Sequence, residues 1–167
     1  MLNPSSNSTI SPNKSNSQSE PIGTVTPTDP LSEKEQISKL ANDILNGQNG
    51  TVDSIQEPDG SWDVSIEFKA SDNLSRDFIK KGIELDMAEV YIALYTSNFK
   101  NINIVSIAAL FPLSDKYGNQ SDGVVYRTFL EKTEADKVNW TADKTTLKVS
   151  ILPEVWTTVF LLPDFTN

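Results

Sequence analysis

Asp115, Asn119 and Asp122 put three oxygen ligands into one short stretch of sequence. A calcium loop needs such ligands at alternate positions around a central glycine, and this spacing does not follow that pattern. The same residues suit a polar hairpin turn with Gly118 at positive φ. A second grouping, Glu84, Asp86 and Glu89, offers carboxylates for the acid–base pair that cleaves glycosidic bonds. Nothing in their spacing brings two of them into one pocket, and a solvated helix face accounts for them as well.

Aromatic side chains form the third grouping. Tyr91, Tyr95, Tyr117 and Trp140 carry rings with an apolar body and a polar tip, which suits half-buried sites for sugars or peptides. Tyr117 stands beside Gly118 in a loop tip, with Asn119 next to it, and is the least suited to a core. The others suit packing equally. Tyr117, Asn119, Tyr91, Tyr95 and Trp140 are therefore the candidate ligand-binding residues. No residue is marked as catalytic or metal-binding.

The missing residue types exclude more than the present ones suggest. The chain has no Cys and no His. Ser-His-Asp and Cys-His triads, thiolate or imidazole metal sites and disulfides are all ruled out. No cofactor is expected. The net charge is −9, and −8 once the N-terminal charges Lys14, Glu20 and Asp29 are set aside. An acidic surface repels phosphate backbones and anionic lipid, so neither nucleic acid nor a lipid surface is expected as a partner. The longest apolar run, Ile104 to Leu113, is interrupted by Ser106 and Pro112 and is too short to span a bilayer. The start, Met1-Leu2-Asn3-Pro4, lacks the basic and apolar regions of a signal peptide.

The elements that must position the candidates begin after residue 30. Residues 1–30 hold seven Ser, five Pro, four Asn and four Thr, and no aromatic. Such a segment cannot bury enough apolar surface to offset its ordering entropy, and it reads as a disordered tether reaching roughly 30 Å. Residues 31–167 read as a single globular domain. Asp29-Pro30 and the capping box Ser32/Glu35 start a helix whose apolar stripe is Ile37, Leu40, Ala41, Ile44 and Leu45, with Gly47 closing it. Thr51–Gln56 and Ser61–Lys69 form a hairpin around Glu57-Pro58-Asp59-Gly60.

A long helix follows from about Leu74 to Phe99, with Asp72 or Asn73 as its cap. It has two apolar stripes: Ile79, Ile83, Met87, Val90 and Leu94 on one side, Leu74, Phe78, Leu85, Ile92 and Phe99 on the other. Asn101–Phe111 is apolar on both parities, which predicts a central strand covered on both faces. Val124–Glu131 returns antiparallel to it, and Thr133 with Asp136 starts a short helix. Residues 141–162 fit helix and strand equally, with Pro153 limiting either. With Trp140, Trp156, Phe160 and Phe165 around them they read as a core-docked closing segment.

The expected fold is an α+β two-layer sandwich. It has helices on an antiparallel sheet of about four strands in the order α-β-β-α-β-β, and the closing segment adds a partial third layer.

Asp115-Lys116-Tyr117-Gly118-Asn119, Lys137-Val138-Asn139-Trp140 and Pro163-Asp164-Phe165, together with the Ser/Asn/Thr-rich lead, resemble small extracytoplasmic domains of uncharacterised lipoproteins from Gram-positive bacteria. The resemblance implies a cell-envelope location and a lipid anchor upstream of residue 1. It implies no reaction. The function expected is a non-enzymatic binding module at the cell surface, with a protein or a glycan as partner. A carboxylate-dependent hydrolase of envelope glycans and a homodimer built on the long helix are the other readings.

Overall fold

Ser32 and Glu35 start the chain's first helix by exchanging hydrogen bonds: the Ser32 N–H donates to the Glu35 carboxylate at 2.8 Å, and the Glu35 N–H donates to Ser32 Oγ at 3.4 Å. The computed structural model, which describes residues 30–72, 75–99 and 101–163, runs this helix, α1, over Glu33–Leu45. Ile37, Ala41 and Leu45 are buried on its inner face. Asn46 caps its end in the left-handed region and Gly47 follows at φ 87°. Residues 1–29 of the tether, Asn73, Leu74 and Asp164-Phe165 lie outside the described residues.

β1 (Thr51–Gln56) and β2 (Trp62–Lys69) pair antiparallel around a turn in which Gly60 takes φ 85°. In β2, Trp62, Val64, Ile66 and Phe68 are buried while Ser65 and Lys69 are exposed, as period-2 alternation requires. α2 (Arg76–Thr96) is capped by the Ser75 side chain, later than either predicted cap, Asp72 or Asn73. It returns the chain to the end of the sheet from which β2 left. β3 (Ile102–Ser114) therefore pairs with β2 in parallel, and the sheet is mixed. β4 (Gln120–Glu131) pairs antiparallel with β3, and the short helix α3 (Lys132–Ala135) follows directly.

Residues 141–162 resolve into both of the forms that their pattern allowed. Helical pieces span Lys144–Thr146 (α4) and Leu152–Val155 (α5), joined by a wide π turn at Leu147–Ile151. Pro153 sits in the first turn of α5, directly after the π turn. The chain then becomes β5 (Thr157–Leu161), a fifth strand added to β4. The sheet order is β1-β2-β3-β4-β5. The fold is α+β as expected, with one strand more and one parallel pair.

One core joins α1, α2, the inner sheet face and the closing segment. Ile79, Ile83, Met87, Val90 and Leu94 of the first α2 stripe are all buried in it, joined by Ala88 and Tyr91. The second stripe is not covered by a layer of its own: Phe78 is 66% exposed, and Leu85, Ile92 and Phe99 are half-buried. The closing segment packs on α2 and sends Leu152 and Trp156 into that same core, so it builds no third layer.

The outer sheet face is likewise open. Val105, Ile107 and Ala109 of β3 are buried inward, but Ile104 and Leu110 on the other parity are half-buried. Ala108 alone is buried there. It lies in register with Glu67 on one side and Arg127 on the other, and their side chains bridge at 3.3 Å across it. Two long polar side chains do locally what a helix layer would have done.

Candidate binding site

The sheet has two ends, and the candidate residues divide between them. β3 is thirteen residues long, so its ends lie about 40 Å apart. At the far end, Asp115 accepts hydrogen bonds from the N–H groups of Tyr117 (2.8 Å) and Asn119 (2.9 Å) and from the Asn119 side-chain amide (2.9 Å). Gly118 takes φ 84° between them. These bonds hold the Asp115 carboxyl below its ordinary range. Asn119 is thus occupied in turn-making. Tyr117 projects from the tip, 77% exposed, with the Lys116 ammonium 4.8 Å from its ring centre. Asp122 forms an ion pair with Lys69 instead of joining Asp115.

Tyr91 lies in the core, away from both ends of the sheet. It is fully buried, its hydroxyl hydrogen-bonds Thr128 Oγ1 at 2.8 Å, and its ring meets Trp156 at 5.7 Å. Burial pushes its phenol far above the usual value. Its helical position, one residue from Val90, put it on the core side of α2.

Tyr95 and Trp140 meet at the near end. Tyr95 sits one turn beyond Tyr91, where α2 leaves the core, and its hydroxyl donates to the carbonyl of Leu130 at 2.5 Å. Trp140 stacks on it with ring centres 5.6 Å apart and planes 17° from parallel. The Trp140 indole N–H donates to the Ala135 carbonyl at 2.9 Å. Asn139 fixes the backbone there, its side-chain oxygen accepting from the N–H and hydroxyl of Thr141 at 3.2 and 2.7 Å. Both rings are locked from two directions.

Beside this pair lies a depression of about 230 Å³, floored by Leu94, Phe99 and Ile102. Its polar rim comes from Asn101, Lys132 and Asp136. The Lys132 ammonium reaches both Asp136 carboxylate oxygens, at 2.6 and 2.8 Å, across one turn at the end of β4. Asn101 stands at the start of β3 with φ 69°, a conformation that Asn tolerates better than most residues. Its carbonyl accepts from the Trp62 backbone N–H at 2.8 Å, and its side-chain amide makes no hydrogen bond among the described residues. Sequence reading missed Asn101, Lys132 and Asp136. The signal available was an Asn directly before an apolar strand and a Lys/Asp pair at i,i+4 beside Trp140.

A shallower depression of about 300 Å³ marks the open sheet face, lined by Val124, Arg127, Val159 and Phe160. Val159 and Phe160 are 57% and 41% exposed.

The α2 carboxylates go separate ways. Glu89 pairs with both Lys144 and Lys148, holding the closing helices against α2. Burial pushes its carboxyl up, but the hydrogen bonds and charges of the two lysines outweigh that and bring it below its ordinary range. Burial dominates at Asp86 and raises it, although Gln48 donates to it at 2.9 Å and Lys148 is near. Glu84 faces Tyr126, where its charge adds to the burial that raises the phenol.

The two shifted acids have opposite linkage. For Asp86 the folded state holds the proton more tightly, so its contribution is favourable below the ordinary 3.8 and is lost as pH rises. For Glu89 the contribution is present above the ordinary 4.5 and is lost as pH falls through its lowered value. Asp86→Asn therefore stabilises the protein at pH 7 and Glu89→Gln destabilises it. Both differences shrink in urea titrations as the pH is taken down through the carboxylate range. Parallel behaviour of the two variants contradicts this assignment.

Among the described residues no group of three or more acidic side chains is placed to hold a metal ion, and no helix is long and apolar enough to cross a membrane. Set beside family models, curated proteins and solved structures, the chain matches none of them.

Proposed function

We propose that the protein is a non-catalytic binding module displayed at a bacterial cell surface, and that it takes its ligand in the depression beside Tyr95 and Trp140. The observation that carries this reading is the locked ring pair next to a hydrogen-bonding rim. Rigid aromatic area combined with a few fixed polar groups is what small-ligand sites are made of, and a ring that is already immobile loses little entropy when a ligand covers it. The hydrolase reading has less support. Among the described residues one carboxylate, Asp136, lines the depression, and it is held by Lys132, whereas glycoside hydrolysis calls for two facing the bond.

The location rests on composition. The Ser/Asn/Pro/Thr-rich lead is of the kind that spaces a domain from an anchor, and the resemblance to lipoprotein domains points the same way. A signal peptide and lipobox Cys encoded upstream of residue 1 support it. A native start at Met1 removes it.

The binding reading is tested by NMR on the full chain. The indole N–H signals of Trp62, Trp140 and Trp156 are followed while sugars, amino acids, short peptides and small organic ions are added. A ligand of this site moves the Trp140 signal and leaves those of Trp62 and Trp156, which are 7% and 6% exposed, in place. If no compound moves Trp140, or if all three signals move together, the site is not where ligands bind.

A further inference from the structure

Building on the reading that this depression is the binding site, we infer that its ligand is a neutral polyhydroxyl ring, a single saccharide unit of a glycan. The argument starts from the rim. Lys132 and Asp136 already satisfy one another through two short contacts at 2.6 and 2.8 Å. An anion must compete with Asp136 for the ammonium, and a cation must compete with Lys132 for the carboxylate. A hydroxyl group competes with neither, since it accepts from Lys132 and donates to Asp136 in the same contact.

Asn101 repeats that pairing of donor and acceptor in one side chain. Its backbone is fixed by the bond to Trp62, and its amide has no hydrogen bond among the described residues. Vicinal hydroxyls present alternating donors and acceptors to such a rim, and an ion of one sign does not.

The apolar side of the depression agrees. A pyranose ring has faces of axial C–H groups that pack on aromatic surface, and Trp140, stacked on Tyr95 and tethered through its own N–H, is among the residues that line the depression. Size limits the occupant: about 230 Å³ falls below the range of roughly 300–1,000 Å³ that drug-sized ligands occupy, so one ring enters and the rest of a chain lies outside. The field of the domain sets anions aside, given its net charge of −8.

The test uses the full chain and the Trp140 indole signal, with glucose, galactose, mannose and N-acetylglucosamine and the tetramers of glucose and N-acetylglucosamine as neutral probes, and choline and acetate as ionic ones. At least one neutral sugar is expected to move the signal, with an affinity that changes less than twofold between 0.05 and 0.5 M salt. Ionic recognition weakens severalfold over that range.

Asn101→Gly keeps the positive φ accessible and removes the amide, and it is expected to weaken binding about 2- to 10-fold. Asp136→Asn acts in the same range. Trp140→Ala, followed by titration calorimetry because the indole signal is gone, weakens binding tenfold or more. Tyr117→Ala, at the other end of the sheet, changes nothing. A response to choline or acetate without any response to the sugars overturns the ligand class and leaves the site standing. Sugar binding that survives both Asn101→Gly and Trp140→Ala overturns the placement. Silence of Trp140 toward every probe removes the saccharide and the site together.

Discussion

Trp156→Ala lowers the unfolding free energy by about 3–5 kcal/mol, the range for emptying a buried aromatic position. Trp156 is 6% exposed and lies where the closing helices hand over to β5. Its ring meets Tyr91 of α2 at 5.7 Å, while its backbone N–H donates to the Leu152 carbonyl at 3.0 Å. Removing the ring uncovers Tyr91 and frees the junction that aligns β5 with β4. A domain of this size is stable by about 5–15 kcal/mol, so the variant is left near the edge of folding. Its urea midpoint falls by about 1 M or more, with little change in slope. Val149→Ala, in the same segment but 43% exposed, changes stability by less than about 0.5 kcal/mol. A loss below about 1 kcal/mol at Trp156 contradicts a docked closing segment.

That segment is also where the sequence was least legible, for a physical reason. Leu147, Val149 and Ile151 alternate like a strand, and Leu147, Ile151 and Val155 repeat like a helix. The π turn at Leu147–Ile151 widens the helix and breaks the 3.6-residue period that periodicity reading depends on. Leu147 is the one buried residue of that turn. Where local chemistry decides, sequence and structure agree: the Ser32/Glu35 box, the Gly60 and Gly118 turns, and the β2 alternation all depend on neighbours within a few residues.

Where tertiary packing decides, the two diverge. The parallel β2–β3 pair follows from which end of the sheet α2 returns to, and no residue pattern encodes that. Burial of Ala108 under Glu67 and Arg127 depends on residues 41 and 19 positions away meeting in register. The candidate site shows the same division. Trp140 and Tyr95 were visible as residue types, and their stacking was not, because Trp140 reaches Tyr95 only through the α3 turn and the Asn139–Thr141 bonds. Lys132, Asp136 and Asn101 looked like ordinary surface residues until the ends of β4 and the start of β3 were brought side by side.

The other assignment that tertiary structure changed gives the second large expected effect. Tyr91 and Thr128 bury the polar atoms of a helix and a strand against each other, both at 0% exposure. Thr128→Val keeps the shape of the side chain but leaves the Tyr91 hydroxyl buried without that partner, which costs about 1–3 kcal/mol. Tyr91→Phe costs less, about 0.5–1.5 kcal/mol, because the Thr128 hydroxyl still has the Met87 sulfur at 3.6 Å to donate to. The double variant removes both polar atoms and is expected to be more stable than the sum of the single losses by about 1–2 kcal/mol, within the range of contacting pairs. Strict additivity in the urea-derived values contradicts a direct bond. Tyr91→Phe also separates core from site. The variant loses stability while its Trp140 signal responds to ligand as the wild type does. A lost response assigns Tyr91 to the binding machinery after all.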